Sequence, residues 1–235
     1  MYKTIVFDLD DTLIDNTENI KQAFKEVLIY RKEKYTEEKF DRFYELDKRF
    51  WGDRASGRMK DPHEFSSKEE RRKWIRAQRF IQYFKDITLE EAIKINNLYM
   101  EESKNKVIEI EGAKEIIEYL YNKGYEIVIA TNGPKIAVSS KLEKIEILEY
   151  IRGVLSAEEV GHMKPHKEFY KVLLKKIINS NIQEILFVGD ELEKDIKGGI
   201  ENNIDTCWFN KRNEKVSEYI PKYEIKELLE LKNIL

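Results

Sequence analysis

The 235-residue chain has a single cysteine, Cys207. No disulfide can close within it, so a reducing, cytoplasmic compartment is the expectation. It also has little net charge: 42 Lys and Arg against 45 Asp and Glu give −3, with the two signs interspersed. That near balance argues against nucleic-acid binding driven by bulk charge. No apolar run approaches the roughly 20 residues that span a bilayer, so no membrane association is expected. The short apolar stretch at the N-terminus runs straight into acids, unlike a signal peptide. There is no internal repeat and no low-complexity linker. The three histidines, His63, His162 and His166, share no ligand spacing, and no metal role is expected of them. With 37% charged and 41% hydrophobic residues, the composition is that of a water-soluble globular protein. Its length suits one large domain or two modest ones.

What is present begins at residue 4. Thr4-Ile5-Val6-Phe7 reads as a buried strand, and it ends at once in Asp8, Asp10 and Asp11. From 16 to 106 the chain is polar and helix-like, with amphipathic stretches at 20–30, 40–50 and 72–84. Phe40, Phe43, Tyr44 and Trp51 follow helical spacing rather than alternation. From 107 onward, strands and helices alternate. The expected helices are 112–123, one opening at Pro134, 167–178 and 194–202. The expected strands are 126–131, 153–155, 184–189 and 206–209. The terminal run 223–235 reads as an amphipathic helix.

Strands separated by helices imply crossover connections and a mainly parallel sheet. The fold class expected is therefore α/β: a Rossmann-like core of 1–15 and 107–235, carrying an inserted all-helical cap domain of 16–106. The insert is too long for a simple crossover.

Ligands of such sheets bind outside the carboxyl ends of the strands. Those ends carry Asp8-Leu9-Asp10-Asp11-Thr12, then Thr131-Asn132-Gly133, then Gly161-His162-Met163-Lys164-Pro165, then Gly189-Asp190 running on to Asp195. Like charges about 4 Å apart repel by about 4 kcal/mol at an effective dielectric near 20. A cation must offset them, and oxygen ligands without a His/Cys cluster favour Mg²⁺. A divalent ion together with Lys164 would then attract an anion such as phosphate. Glu191 and Glu193 read as solvated loop acids, and Cys207 as a buried, inert thiol.

DLDDT at 8–12, TNG at 131–133, Lys164 followed by proline and GDELEKD at 189–195 resemble, in order, the four motifs of the haloacid dehalogenase-like (HAD) superfamily, and its Mg²⁺-dependent phosphatases in particular. The resemblance implies a phosphomonoester hydrolase. In it Asp8 is the nucleophile that forms an aspartyl-phosphate. Asp10 is the general acid and base. Asp8 and Asp190 ligate Mg²⁺ by side chain and Asp10 by its carbonyl. Asp195 is a direct or indirect partner of the metal that also orients Lys164. Thr131, Asn132 and Lys164 hold the phosphoryl oxygens. Dehalogenases of the superfamily lack the acid at the position of Asp10, which favours phosphate-ester chemistry without excluding a phosphomutase.

Within the superfamily, TNG and the run EEVGHMKPHKEFY at 158–170 resemble the pyrimidine 5′-nucleotidase subgroup. That implies a nucleoside 5′-monophosphate as the small-molecule phosphate ester. A base would stack on Trp51 or a neighbouring aromatic, with Arg54 or Arg58 contacting the substrate. A phosphosugar or phosphoglycolate-type phosphatase, or a phosphomutase, is the alternative. A non-catalytic binding protein is the remote one, and it would be expected to have lost Asp8, Asp10 or Lys164.

Overall fold

Thr4–Phe7, three β-branched residues and one aromatic, form the fully buried central strand β1. In the computed structural model, which describes residues 1–55, 57–62, 64–133, 135–177, 180–215 and 218–235, the chain divides into two compact units. One comprises Met1–Asn16 and Val107–Leu235, the other Thr17–Lys106.

The first unit is built on a six-stranded sheet. Its strands are β1, β2 (Glu126–Thr131), β3 (Gly153–Ser156), β4 (Ile185–Gly189), β5 (Asp205–Phe209) and β6 (Tyr223–Ile225), in the order β3-β2-β1-β4-β5-β6. Among the described residues every pair in this sheet is parallel. Both faces are covered, as a parallel sheet requires. Ile5, Phe7, Ile127, Ile129, Leu186 and Val188 share a core with α5 (Ala113–Asn122) and α6 (Lys135–Lys144). Val6, Val128, Ala130 and Phe187 face the core of α8 (Lys167–Lys176), with Phe169, Tyr170 and Leu173. The short helix α7 (Ala157–Val160) follows β3, and α9 (Lys197–Glu201) precedes β5.

The second unit holds α1 (Asn16–Tyr30, its first residue counted with the other unit), α2 (Glu37–Ala55), α3 (Lys68–Phe84) and α4 (Leu89–Asn105). Ser67 and Thr88 cap α3 and α4 by accepting from the backbone N–H groups of Glu70 and Glu91. Its core is aromatic: Phe24 stacks on Phe43 with centroids 4.3 Å apart, and Phe80, Tyr83 and Tyr99 close around them. Inside it Arg79 donates to Asp47 at 2.7 Å and to Asn96 at 3.2 Å.

Two sequence expectations need correction. The terminal run is not one helix. Tyr223–Ile225 pairs with β5, and Leu228–Asn233 winds as a 3₁₀ helix. Within the 3₁₀ helix the buried residues are Leu228 and Leu231, three positions apart, which suits three residues per turn. The expected helix 194–202 is instead a π turn at Leu192–Ile196 leading into α9. Pro134, Ile178 and His63 lie outside the described residues.

Candidate active site

β1 sits between β2 and β4, so the loops after these strands diverge at one point of the carboxyl edge. Register sets the level: Phe7 pairs with Ile129 and with Val188. Asp8, the next residue, therefore stands beside Ala130 and Gly189, at the mouth of that divergence. It is 7% exposed and tied to β4 by its N–H on the Val188 carbonyl, 2.9 Å.

Lys164 reaches Asp8 from the loop that follows α7. Its ammonium is 2.5 Å from Asp8 Oδ1, 2.7 Å from the Ala130 carbonyl and 2.8 Å from Asp195 Oδ1. It is 3% exposed, held by two hydrogen bonds and an ion pair to Asp195. Burial alone would weaken this ammonium. Asp195 and Asp8 override it and hold the group above the ordinary lysine range.

Asp195 arrives through the π turn. Its Oδ2 accepts from the Glu191 N–H at 3.1 Å, and the Lys194 carbonyl just before it accepts from the Tyr170 hydroxyl at 2.7 Å. Close approach to β4 depends on Gly189: a Cβ there would lie 2.4 Å from the Asp195 carboxylate. Asp195 Oδ1 is buried and has the Lys164 ammonium beside it, yet it has no hydrogen bond of acceptable angle. The contact is an ion pair that leaves this oxygen able to accept another cation.

Asp190 follows Gly189, and the Trp208 indole donates to its carbonyl at 2.9 Å. Thr12, fully buried, lies with its hydroxyl 3.3 Å from Asp190 Oδ1 and 3.5 Å from Asp8 Oδ2. Burial pushes Asp190 up to about 9, helped by the charges of Asp8, Asp195, Asp11 and Glu191. Burial also pushes Asp8 up to about 7; Lys164 opposes this and Asp195 and Asp10 add to it. Both shifts come first from burial and then from the neighbouring acids.

The donor set fits a hard divalent cation. Asp8, Asp190 and Asp195 each offer one oxygen, all within 4.8 Å of one another. Opposite corners of a Mg²⁺ octahedron with arms of about 2.1 Å lie about 4.2 Å apart. The donors are carboxylates with neither sulfur nor imidazole among them, which suits Mg²⁺.

The remaining predicted residues divide. Asp10 is near by, on the far side of Leu9, with its carboxylate beside the TNG turn. Thr131 is 1% exposed, and its hydroxyl accepts from the Gly133 N–H at 2.9 Å. The Asn132 side chain is turned to the backbone of Lys164 on both of its sides. It therefore shapes the lysine loop, a role the expected phosphate contact did not announce. Trp51, Arg54 and Arg58 lie in the helical unit. Trp51 is 38% exposed, edge-on to Phe50. Arg54 is paired with Asp61 and Arg58 with Asp53, each at 2.7 Å. Glu191 and Glu193 pair with Lys194 and Lys197, as solvated loop acids do. Cys207 is fully buried in β5, and burial pushes its thiol up to about 12.

Sequence reasoning missed Lys141. On α6 it precedes the buried Leu142 and follows the buried Val138 by three positions, and its ammonium pairs with Asp10 Oδ1. Its spacing on the inward side of the helix was the available signal.

Residues 5–209 match the family described as haloacid dehalogenase-like hydrolase. The chain is 26% identical over 234 residues to the pyrimidine 5′-nucleotidase YjjG of Escherichia coli, covering 98% of this chain and 96% of that one. It is 27% identical over 219 residues to a glyceraldehyde 3-phosphate phosphatase of Pyrococcus abyssi, covering 89% and 82%. A magnesium-bound crystal structure of YfnB from Bacillus subtilis superposes with a TM-score of 0.84 at 25% identity, covering 100% and 98% of the two chains.

Proposed function

The chain belongs to the haloacid dehalogenase-like hydrolase family, and we propose that it is a Mg²⁺-dependent phosphatase that cleaves a nucleoside 5′-monophosphate through an aspartyl-phosphate. The observation that carries the chemistry is Asp8: a buried carboxylate at a strand end, gripped by Lys164 at 2.5 Å, with two more acids around it and Asp10 two residues on. Hydrolysis of a phosphomonoester through an aspartyl-phosphate needs that nucleophile and that acid in one place.

A bound Mg²⁺ would be held by Asp8, Asp190, Asp195 and the Asp10 carbonyl, and would supply positive charge to the phosphoryl oxygens. The chain's own residues account for the rest. An Asp8 oxygen attacks phosphorus and the bond from phosphorus to the ester oxygen breaks. Asp10, as the acid, gives its proton to the departing alkoxide, so an alcohol leaves. Water then attacks the phosphorus of the aspartyl-phosphate while Asp10, now a carboxylate, takes the proton of that water. The bond from phosphorus to Asp8 breaks, phosphate leaves, and both acids are restored. Lys164 and the turn at Thr131 stabilise charge on the transferred group.

The nucleotide reading is supported by the run at 158–170 and by similarity to a pyrimidine 5′-nucleotidase. A phosphosugar is the second reading, supported by similarity to a glyceraldehyde 3-phosphate phosphatase. Phosphate release from nucleoside monophosphates and sugar phosphates, with Mg²⁺ and with chelator, for the native chain and Asp8→Asn, separates them. Metal-dependent release that is strongest on pyrimidine monophosphates and lost in Asp8→Asn is expected. Preference for a sugar phosphate overturns the substrate alone, and no release from any ester overturns the activity.

A further inference from the structure

We propose that Lys141 is a positioning residue for Asp10: its ammonium takes Oδ1 and thereby reserves Oδ2 for the proton that passes to the leaving group. The inference rests on the phosphatase reading above, which assigns Asp10 the acid and base work.

Three observations carry it. Lys141 and Asp10 are 131 positions apart, and α6 brings them into an ion pair through Oδ1. The side chains are only 20% and 29% exposed, so this is not a pair waving in solvent. On the other side of the carboxylate lies Gly133. A Cβ built there would sit 3.5 Å from Asp10 Oδ2 and 3.2 Å from the Thr131 hydroxyl. The carboxylate is thus bracketed, with a cation on one oxygen and Gly133, which has no side chain, by the other.

The chemistry follows from what a carboxylic acid is. Its two oxygens differ: one is a carbonyl that accepts, the other carries the proton. An ammonium has only donors, and of the two oxygens of the acid the carbonyl accepts from it better than the one that carries the proton. With Lys141 on Oδ1, the protonated form of Asp10 is held with its O–H at Oδ2. That removes a rotational choice from the proton transfer and keeps the acid in one orientation through both halves of the reaction. Other lysines of this unit make exposed surface pairs, such as Lys114 with Glu146 and Lys232 with Glu115. Lys141, like Lys164, is paired instead with a residue of the site.

The test uses kcat/KM, which reports the steps through departure of the alcohol. Lys141→Met and Lys141→Arg are compared with the native chain on two esters. One is the best nucleoside or sugar phosphate of the panel, whose alkoxide needs a proton. The other is p-nitrophenyl phosphate, whose leaving group does not. Lys141→Met is expected to lose about tenfold to hundredfold on the alkyl ester, much less on the aryl ester, with KM little changed. Lys141→Arg restores most of the loss. Equal losses on both esters, a loss confined to KM, or no loss at all overturns the proposal while native activity and its abolition in Asp10→Asn leave the underlying reading standing. If Asp10→Asn keeps full activity, the reading itself falls and the proposal with it. Should Lys141→Met fail to fold, the arginine variant and Lys141→Gln carry the same comparison.

Discussion

Asn132 holds Lys164 by both of its backbone groups. Asn132 Oδ1 accepts from the Lys164 N–H at 2.7 Å, and Asn132 Nδ2 donates to the Lys164 carbonyl at 3.2 Å. The turn after β2 and the loop before α8 are therefore joined at the residue whose ammonium meets Asp8. The same geometry explains why an amide stands there: no other side chain of that length offers an acceptor and a donor together.

Asn132→Ala is expected to lower phosphate release by about tenfold to hundredfold, because Lys164 loses its register against Asp8. The stability cost is smaller, about 1 kcal/mol, or a few degrees of melting temperature. Steady-state rates and thermal melts of the same preparation check this. A melting loss without a rate loss contradicts it.

The acid cluster predicts how metal and pH act together. Asp190 and Asp8 are held at about 9 and about 7, above the ordinary carboxylate value of about 3.9. The folded state therefore keeps protons that the unfolded state releases. The penalty is absent below about pH 4 and grows as pH rises through the folded values. In chelator the chain should melt lower at pH 9 than at pH 6. Mg²⁺ should raise the melting temperature at both, and more at pH 9. Asp190→Asn should flatten the dependence and remove most of the Mg²⁺ effect. Melting that rises with pH in chelator contradicts the sign.

In the helical unit, Asp47→Ala leaves the Arg79 guanidinium, 4% exposed by its side chain, without its carboxylate. The expected loss is about 3–5 kcal/mol in urea unfolding. Replacing both members, Asp47→Leu with Arg79→Met, should cost less than the single change, since no buried charge is then stranded. The reverse order contradicts the account.

Much of the fold was legible from local pattern. Residues 127–130 of β2 and 185–188 of β4 are unbroken apolar runs, and burial on both faces is what produces such runs. The site was legible because its acids follow strands directly, so a one-dimensional reading finds them at the sheet's carboxyl edge. Tyr223–Ile225 was misread because it is the edge strand, held among the described residues only by β5, where Cys207 pairs with Tyr223. Lys222 and the Tyr2 hydroxyl both reach Asp205 at that edge. Local periodicity carries no information about such pairing. Lys141 was missed for a related reason: its spacing puts it on the inward side of α6, but only the fold supplies its partner.

The sequence by itself determined the α/β class, the helical block after the first strand and the identity of the acids, because periodicity and residue type are local properties of the chain. Only the tertiary structure decided that Asp195 Oδ1 lacks a hydrogen bond, that Asn132 clamps Lys164, and that Lys141 meets Asp10. Each depends on side chains from separate loops meeting at a few ångströms. Burial and charge at that distance set their protonation and orientation, and no spacing along the chain encodes the distance.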